Sequence, residues 1–397
     1  MTDQTAKKCK KVLRNNEYYS FQAELDYLYR ASKEGRSFKN LMRYICCQQN
    51  VELAYRRIKR NKGSRTSGTN KNTIDDIAKL GTDKLVAYVK TRLDNYKPHS
   101  VRRVMIPKDN GKERPLGIPT IEDRLIQQCI LQILEPICEA KFHKHSYGFR
   151  PNRKTHNAIA RFSYLVYHAK LEYVVDIDIK GFFDNVNHAK LIKQMWSLGI
   201  RDKNLLSIIS KLLKAPIVGE GVPKKGTPQG GILSPLLSNI VLNELDWWIS
   251  NQWETFPTRH PYKGSGDKYQ ALKRSSNLKE MYLVRYADDF KILCRNRKDA
   301  EKIKIAIEDW LKQRLKLETS PEKSKITNLR KHYSEFLGFK LKIEERPDRN
   351  VVISHMTDKA KKKVIDKLRT RIRNVKSNKQ EVVKLNSAIR GMHNYYC

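Results

Sequence analysis

Two adjacent carboxylates, Asp288 and Asp289, interrupt a stretch that otherwise alternates apolar and polar residues. Met281-Tyr282-Leu283-Val284-Arg285 leads into Tyr286-Ala287-Asp288-Asp289, and Phe290-Lys291-Ile292-Leu293-Cys294 leads out. The period of two predicts a β-hairpin with the acids at its tip. Like charges side by side between hydrophobic strands repel, and burial penalises their ionised forms. A bound cation relieves both penalties, and hard carboxylate oxygens suit Mg²⁺. The bland alternative is a solvated turn. Against it stands a second acidic segment, Tyr173-Val174-Val175-Asp176-Ile177-Asp178-Ile179, whose Asp178 precedes Asp288 by 110 residues. Alternation puts Asp176 and Asp178 on one face of that strand, with Val175, Ile177 and Ile179 on the other.

A strand presenting acid beside a hairpin tipped by two acids is how a palm-type polymerase holds two Mg²⁺ ions for in-line phosphoryl transfer. Between the two blocks lies Gly226-Thr227-Pro228-Gln229-Gly230-Gly231-Ile232-Leu233-Ser234-Pro235. In this order of blocks the chain resembles the reverse transcriptases encoded by group II introns, over most of its length. The resemblance implies an α+β fold: a right-hand polymerase with helical and hairpin fingers, an antiparallel-sheet palm and the start of a helical thumb. It also implies Asp178 and Asp288 as metal-bridging carboxylates and Asp289 as the third acid of the triad. Asp176 and Asp184 do not match the metal positions and are read as structural. Phe183 resembles the aromatic gate beneath the incoming sugar, filling the space a ribose 2′-OH needs, whereas Phe182 is read as core.

Arg102 to Ile118 reads as a hairpin around the Asp109-Asn110-Gly111 turn signal. Lys108 and Arg114, near that turn, are similar to the family's pair that grips the triphosphate, and a Lys point charge with an Arg fork suits phosphate. Gln229, in a glycine-bearing loop, resembles the glutamine that contacts the nucleotide. Ser234 is expected to cap a helix with Pro235 in its first turn, burying Leu236, Leu237, Ile240, Val241 and Leu245. Lys323 resembles the lysine near the triphosphate that can protonate pyrophosphate; without the family, Lys325 or Lys316 would read equally well. Phe336-Leu337-Gly338-Phe339 looks like the primer-grip strand.

Charge agrees independently. The 80 Lys and Arg exceed the 42 Asp and Glu by 38, the footprint of a polyanion binder. Membrane attraction is the rival reading, but no apolar run reaches the roughly 20 residues of a spanning helix. Met1 to Asn16 is basic and polar without an apolar core, so a cytoplasmic protein, bacterial or in an organellar matrix, is expected. Seven cysteines without a Cys-x-x-Cys pair fit a reducing compartment and no zinc site.

The expected organisation is a basic, helical amino-terminal extension and start of the fingers at 1–95, fingers at 96–172, palm at 173–345 and a partial thumb, or maturase X domain, at 346–397. Thr120-Ile121-Glu122-Asp123 resembles a capping box opening a helix with Ile121, Leu125, Cys129, Ile133 and Ile137 on one face. Residues of about 249–280 read as an insert of little periodicity, a surface loop. From Thr357 the period turns helical, with Val364, Leu368, Ile372 and Val375 as its stripe. RNA-contact candidates are Lys7, Lys8, Lys10, Lys11, Arg56, Arg57, Lys59 and Arg60 in the extension, Arg150 and Arg153 after Ser146-Tyr147-Gly148-Phe149, and Lys361, Lys362, Lys363, Arg369, Arg371 and Arg373 in the thumb. For Arg150 and Arg153, template contact and structural pairing weigh equally. In the family more thumb helix, a DNA-binding region and often a Cys-rich nuclease domain follow, so a fragment is expected here.

The function implied is an RNA-directed DNA polymerase that also binds intron RNA as a splicing maturase and supports mobility. Its partners would be intron RNA or an RNA template, a DNA primer or target DNA, and deoxynucleotides, with room for a homodimer. A maturase with a relic polymerase site, or a non-intron bacterial reverse transcriptase, are the alternatives. Intact Asp178, Asp288 and Asp289 speak against the first, and the long basic extension against the second.

Overall fold

The computed structural model describes residues 14–107, 111, 113–347, 349–375 and 379–396. Lys108, the Asp109-Asn110 turn and Lys7, Lys8, Lys10 and Lys11 lie outside the described residues. Among the described residues six helices come first: α1 (Asn15–Tyr18), α2 (Gln22–Lys33), α3 (Met42–Ile45), α4 (Gln48–Lys59), α5 (Ile74–Ala78) and α6 (Thr82–Asp94). The hairpin β1 (Arg102–Pro107) and β2 (Glu113–Ile118) precedes α7 (Ile121–Glu139) and α8 (Thr155–Ala169). Then come β3 (Tyr173–Ile177), α9 (Phe182–Asn185), α10 (His188–Ser197), α11 (Lys203–Leu213), α12 (Ser234–Gln252) and α13 (Ser265–Ser275). The hairpin β4 (Met281–Tyr286) and β5 (Asp289–Cys294) is followed by α14 (Arg297–Trp310). Last are β6 (Lys325–Asn328), β7 (Ser334–Phe336), β8 (Phe339–Arg346), β9 (Arg349–Met356), α15 (Asp358–Asn374) and α16 (Lys379–Tyr396). No helix among the described residues is long and apolar enough to cross a membrane.

The chain divides into two compact units, each built from separated stretches: Met1–Phe142 with Phe183–Val241, and His143–Phe182 with Leu242–Cys397. In the first unit α7 is the hub, against which α2 and α4 pack. Thr120 caps it by accepting the Asp123 N–H, and Ile121, Leu125, Cys129, Ile133 and Ile137 are all buried as the spacing requires. The helix is buried on its polar positions too, so those groups need partners. Gln132 Nε2 donates to Asn50 Oδ1 at 2.6 Å, and Asp123 accepts from Tyr96 Oη and the His99 N–H at 2.8 Å each.

The second unit is organised around an antiparallel sheet of order β4-β5-β3-β6. Central β3 is buried on both faces from Val174 to Ile177, which confines its acid to a paired state. Asp176 lies opposite both Lys291 and Lys325 in register and is ion-paired to Lys291 Nζ at 2.6 Å.

Four expectations need correction. The insert is not simply a loop: α12 runs to Gln252 and α13 occupies Ser265–Ser275. With only Leu272 buried on α13, no apolar stripe announced that helix. Ser234 begins α12 and donates its hydroxyl to the Pro228 carbonyl at 2.8 Å, tying down the preceding loop and not capping the helix. Phe336-Leu337-Gly338-Phe339 is a hairpin, not one strand: Phe336 pairs with Phe339 across a Leu337-Gly338 tip with φ of 54° and 86°. Two left-handed central residues match the twist of the flanking strands. Finally, α15 forms but buries none of its residues, and Ile372 of the expected stripe is 58% exposed.

Candidate active site

The β4–β5 register closes on Tyr286 opposite Asp289, leaving Ala287-Asp288 as a two-residue tip. Asp288 therefore sits at the tip and Asp289 opens β5. Ala287 holds a φ of 58°, a left-handed conformation that costs an L-residue about 1 kcal/mol. The turn is braced from beneath by Arg285, whose guanidinium is fully buried. Its Nε and Nη2 donate to Asp246 at 2.7 and 2.6 Å, and its Nη1 to the Ala287 carbonyl at 2.7 Å. The segment before α8 seals the outer edge of β4: the Tyr147 N–H donates to the Arg285 carbonyl at 2.8 Å, and the Arg285 N–H to that of His145 at 3.0 Å. Here Gly148 is obligatory, because a Cβ would stand 2.2 Å from the Ala287 nitrogen. Sequence reading named this segment without seeing that role, which depends on a contact far along the chain.

Ile177 of β3 lies opposite Phe290 of β5, so Asp178 and Asp289, one residue beyond on each antiparallel strand, leave the same end of the pair. Asp178 takes an ion pair from Lys323 Nζ at 3.2 Å. Asp289, with its side chain 46% exposed, is 3.8 Å from Lys291 Nζ. Its carboxyl is pushed up to about 6 by desolvation, with Asp176, Asp288 and Asp178 adding repulsion and Lys291 opposing it. Among the described residues no group of three or more His, Cys, Asp or Glu is gathered into a ready metal cage. The donor chemistry nevertheless fits a hard divalent cation: carboxylate oxygens close enough to raise one another's proton affinity are what such an ion relieves. Asp176, buried under Lys291, is a structural counter-charge.

The expected nucleotide-contacting residues that are described, apart from Lys323, belong to the first unit. Arg114, exposed on β2, pairs with Ile106. The Gln229 loop is pinned to the same strand, since the Gly117 N–H donates to the Gln229 carbonyl at 2.6 Å. Gly230, at φ 105°, would meet the Gly117 oxygen at 2.5 Å with any Cβ. Gln229 Nε2 donates to both Asp184 oxygens at 3.2 Å, which fixes the carboxamide's orientation. The Thr227 N–H donates to the Phe183 carbonyl at 2.7 Å. Phe183 is half-buried, whereas Phe182 is 2% exposed and belongs to the core.

The remaining candidates separate by burial. Arg150 is buried, and its Nη1 donates to the His143 and Ser146 carbonyls at 2.7 and 2.8 Å. Arg153 donates to the Lys144 carbonyl at 2.6 Å and lies over the Tyr147 ring. Arg57 donates to Asn16 Oδ1 at 3.0 Å, Arg56 stands over Tyr18 and Tyr19, and Lys59 over Tyr55. Arg60, Lys361, Lys362 and Lys363 are exposed. Phe336 is buried with Lys291 Nζ 5.4 Å above its ring, and the Leu337 carbonyl accepts from Tyr395 Oη at 3.0 Å.

Comparison with known proteins fits this layout. The family described as reverse transcriptase (RNA-dependent DNA polymerase) matches residues 106–341, more than half of the chain. The group II intron-encoded protein LtrA of Lactococcus lactis is 34% identical over 77% of this chain and 57% of its own length. Protein YkfC of Escherichia coli is 33% identical over 76% of this chain and 83% of its own. A putative COX1/OXI3 intron 2 protein of Saccharomyces cerevisiae is 31% identical over 75% of this chain and 39% of its own. The chain thus belongs to the reverse transcriptase family, among the group II intron-encoded reverse transcriptases and maturases. It spans about half the length of LtrA. Members of this family use divalent metal ions.

Proposed function

We propose that this chain is an RNA-directed DNA polymerase of a group II intron that also binds the intron RNA as a splicing maturase. The observation that carries the polymerase half is the placement of Asp178 and Asp289 at one end of a β3–β5 pair, with Asp288 at the adjoining tip. In this reading 173–345 is the palm with an insert at about 249–280, 1–95 and 96–172 form the extension and fingers, and 346–397 begins the thumb. Asp178, Asp288 and Asp289 would hold two Mg²⁺ ions, which when bound supply Lewis-acid neutralisation of the reacting phosphate.

The chain's own residues do the rest. Arg114 and Lys108 grip the triphosphate, and Phe183 fills the place of a 2′-OH. Gln229, oriented by Asp184, meets the nucleotide with its amide oxygen. Lys323 Nζ, beside Asp178 at 3.2 Å, holds a proton that can pass to the leaving pyrophosphate. The Phe336-Leu337-Gly338 hairpin grips the primer end. The basic residues Arg56, Arg57, Lys59, Arg60, Arg153 and Lys361 to Lys363 supply charge for the template or intron RNA. Partners would be that RNA, a DNA primer or target, deoxynucleotides and a second copy in a homodimer, in bacterial cytoplasm or an organellar matrix.

Primer extension on an RNA template tests this. Asp288→Asn is expected to abolish DNA synthesis while RNA affinity stays near wild type, because charge at the acids stabilises the transition state and the basic surface holds the template. Extension by the variant within about tenfold of wild type, some 1.4 kcal/mol of barrier, would sink the assignment.

A further inference from the structure

A cavity of about 500 Å³ lies within the second unit between α8 and α13, and none of Asp178, Asp288 or Asp289 lines it. Its volume falls in the range of small-ligand sites, roughly 300–1,000 Å³. The wall carries five cations (Lys144, Arg161, Lys170, Lys273 and Arg295) and two carboxylates, Glu254 and Glu280. Both carboxylates are already engaged. Glu254 pairs with Lys144 at 3.0 Å and Arg161 at 3.2 Å, and Glu280 with Lys273 at 3.0 Å and Arg295 at 2.8 Å. Three positive charges are therefore in surplus. Lys170, exposed at the left-handed end of α8, has no ion pair among the described residues.

The lining also carries four rings, those of Tyr164, His168, Tyr269 and Tyr282. Tyr164 is 53% exposed, with its ring 4.5 Å from that of His168. Across the cavity Tyr269 of α13 is held by stacking on Trp253 at 5.7 Å and an edge contact to Tyr282 at 5.9 Å. Tyr164 remains half-exposed with Arg161 5.8 Å over its ring, and surplus positive charge beside such a ring suits a ligand with a phosphate and a flat ring. We propose that this cavity binds a nucleoside 5′-monophosphate unit, either free or as an unpaired nucleotide of a bound RNA. Its base would lie against Tyr164 or Tyr269 and its phosphate beside Lys170. A phosphorylated peptide would satisfy the charge but leave the rings without a partner.

The site stands apart from the proposed polymerase centre, so the test is run in EDTA, without the ions that centre would need. The 397-residue chain is titrated calorimetrically with adenosine 5′-monophosphate, adenosine and inorganic phosphate. An RNA hairpin with 4-thiouridine in its loop is photo-crosslinked in parallel and the modified peptides are mapped. The nucleotide should bind at least about tenfold tighter than either half, and Tyr164→Ala or Lys170→Glu should each weaken it about fivefold or more. Both positions are exposed, so folding survives, and primer extension should remain within about twofold. Asp288→Asn should bind the nucleotide like wild type, which keeps this result readable if the polymerase assignment fails. Crosslinks within 161–170 or 265–273 that disappear in the two variants identify RNA as the source; nucleotide binding without them identifies the free mononucleotide. Phosphate binding as tightly as the nucleotide, affinities unmoved by both substitutions, or neither binding nor crosslinks would overturn the proposal.

Discussion

Asp289 is a carboxylate held where its charge is disfavoured. Its pKa is pushed up to about 6 by desolvation and by neighbouring acids, while an unfolded aspartate titrates near roughly 3.9. The native state therefore holds the proton more tightly. Stability from this group is full below about pH 4 and is lost as pH rises through about 6. Asp289→Asn should raise unfolding stability in EDTA at pH 7.5 by about 1 kcal/mol, once screening at a half-exposed side chain is allowed for, and leave it unchanged at pH 4. Urea titrations at the two pH values check this, and equal effects at both would refute it. Adding Mg²⁺ should close the gap at pH 7.5 by favouring wild type.

Asp184 presents a different case. It was legible only as an acid that fits no metal position; the structure shows it gripping Gln229 by both oxygens. Asp184→Ala should free the carboxamide and raise the KM for deoxynucleotides several-fold, about 1 kcal/mol, with a smaller effect on kcat. Steady-state kinetics on a fixed RNA template and primer decide it, and a change confined to kcat would assign Asp184 elsewhere.

Among the elements, the β4–β5 hairpin was readable because two short apolar runs and an acidic interruption between them are local signals. What holds its tip was not. The Arg285–Asp246 pair, 39 residues apart, and the Gly148 contact are tertiary, and nothing in period or composition points to them. Gly148→Ala should force the turn aside and cost about 1–3 kcal/mol by overpacking. Primer extension should fall by well over an order of magnitude, because the shift lands on Asp288. Thermal unfolding with extension on one template measures both, and an active variant of normal stability would show that the turn yields without consequence. The same contrast explains α13 and the Phe336–Phe339 hairpin. On α13 only Leu272 is buried, and a left-handed Leu337 is a turn signal that sequence rules reserve for Gly or Asn.

At the scale of the whole molecule, the excess of 38 positive charges was the plainest message in the sequence. If the basic surface forms an extended phosphate track, RNA affinity should fall with log–log salt slopes of about −0.7 per contact. Measured by filter binding from low to moderate salt, a total slope shallower than about −3 would point to a small pocket instead. How the chain closes into units was not legible: each is stitched from two distant stretches, and contact between such stretches leaves no mark in local pattern.

That stitching bears on how the protein is born. Strand β3 is central, and its partners arrive late: Tyr173 meets Cys294 on one side and Asn328 on the other. At a ribosome's pace of about 5–20 residues per second, Val174, Val175 and Ile177 wait roughly 6–25 seconds for β5 and longer for β6. The helical hub formed by α2, α4 and α7 needs no such wait, because its members are all made before residue 140. The strand that leads into Asp178 is thus open to wrong partners for a long interval during synthesis. Slow translation or a scarcity of chaperones should lower the yield of this protein before either affects the activity of the molecules that fold.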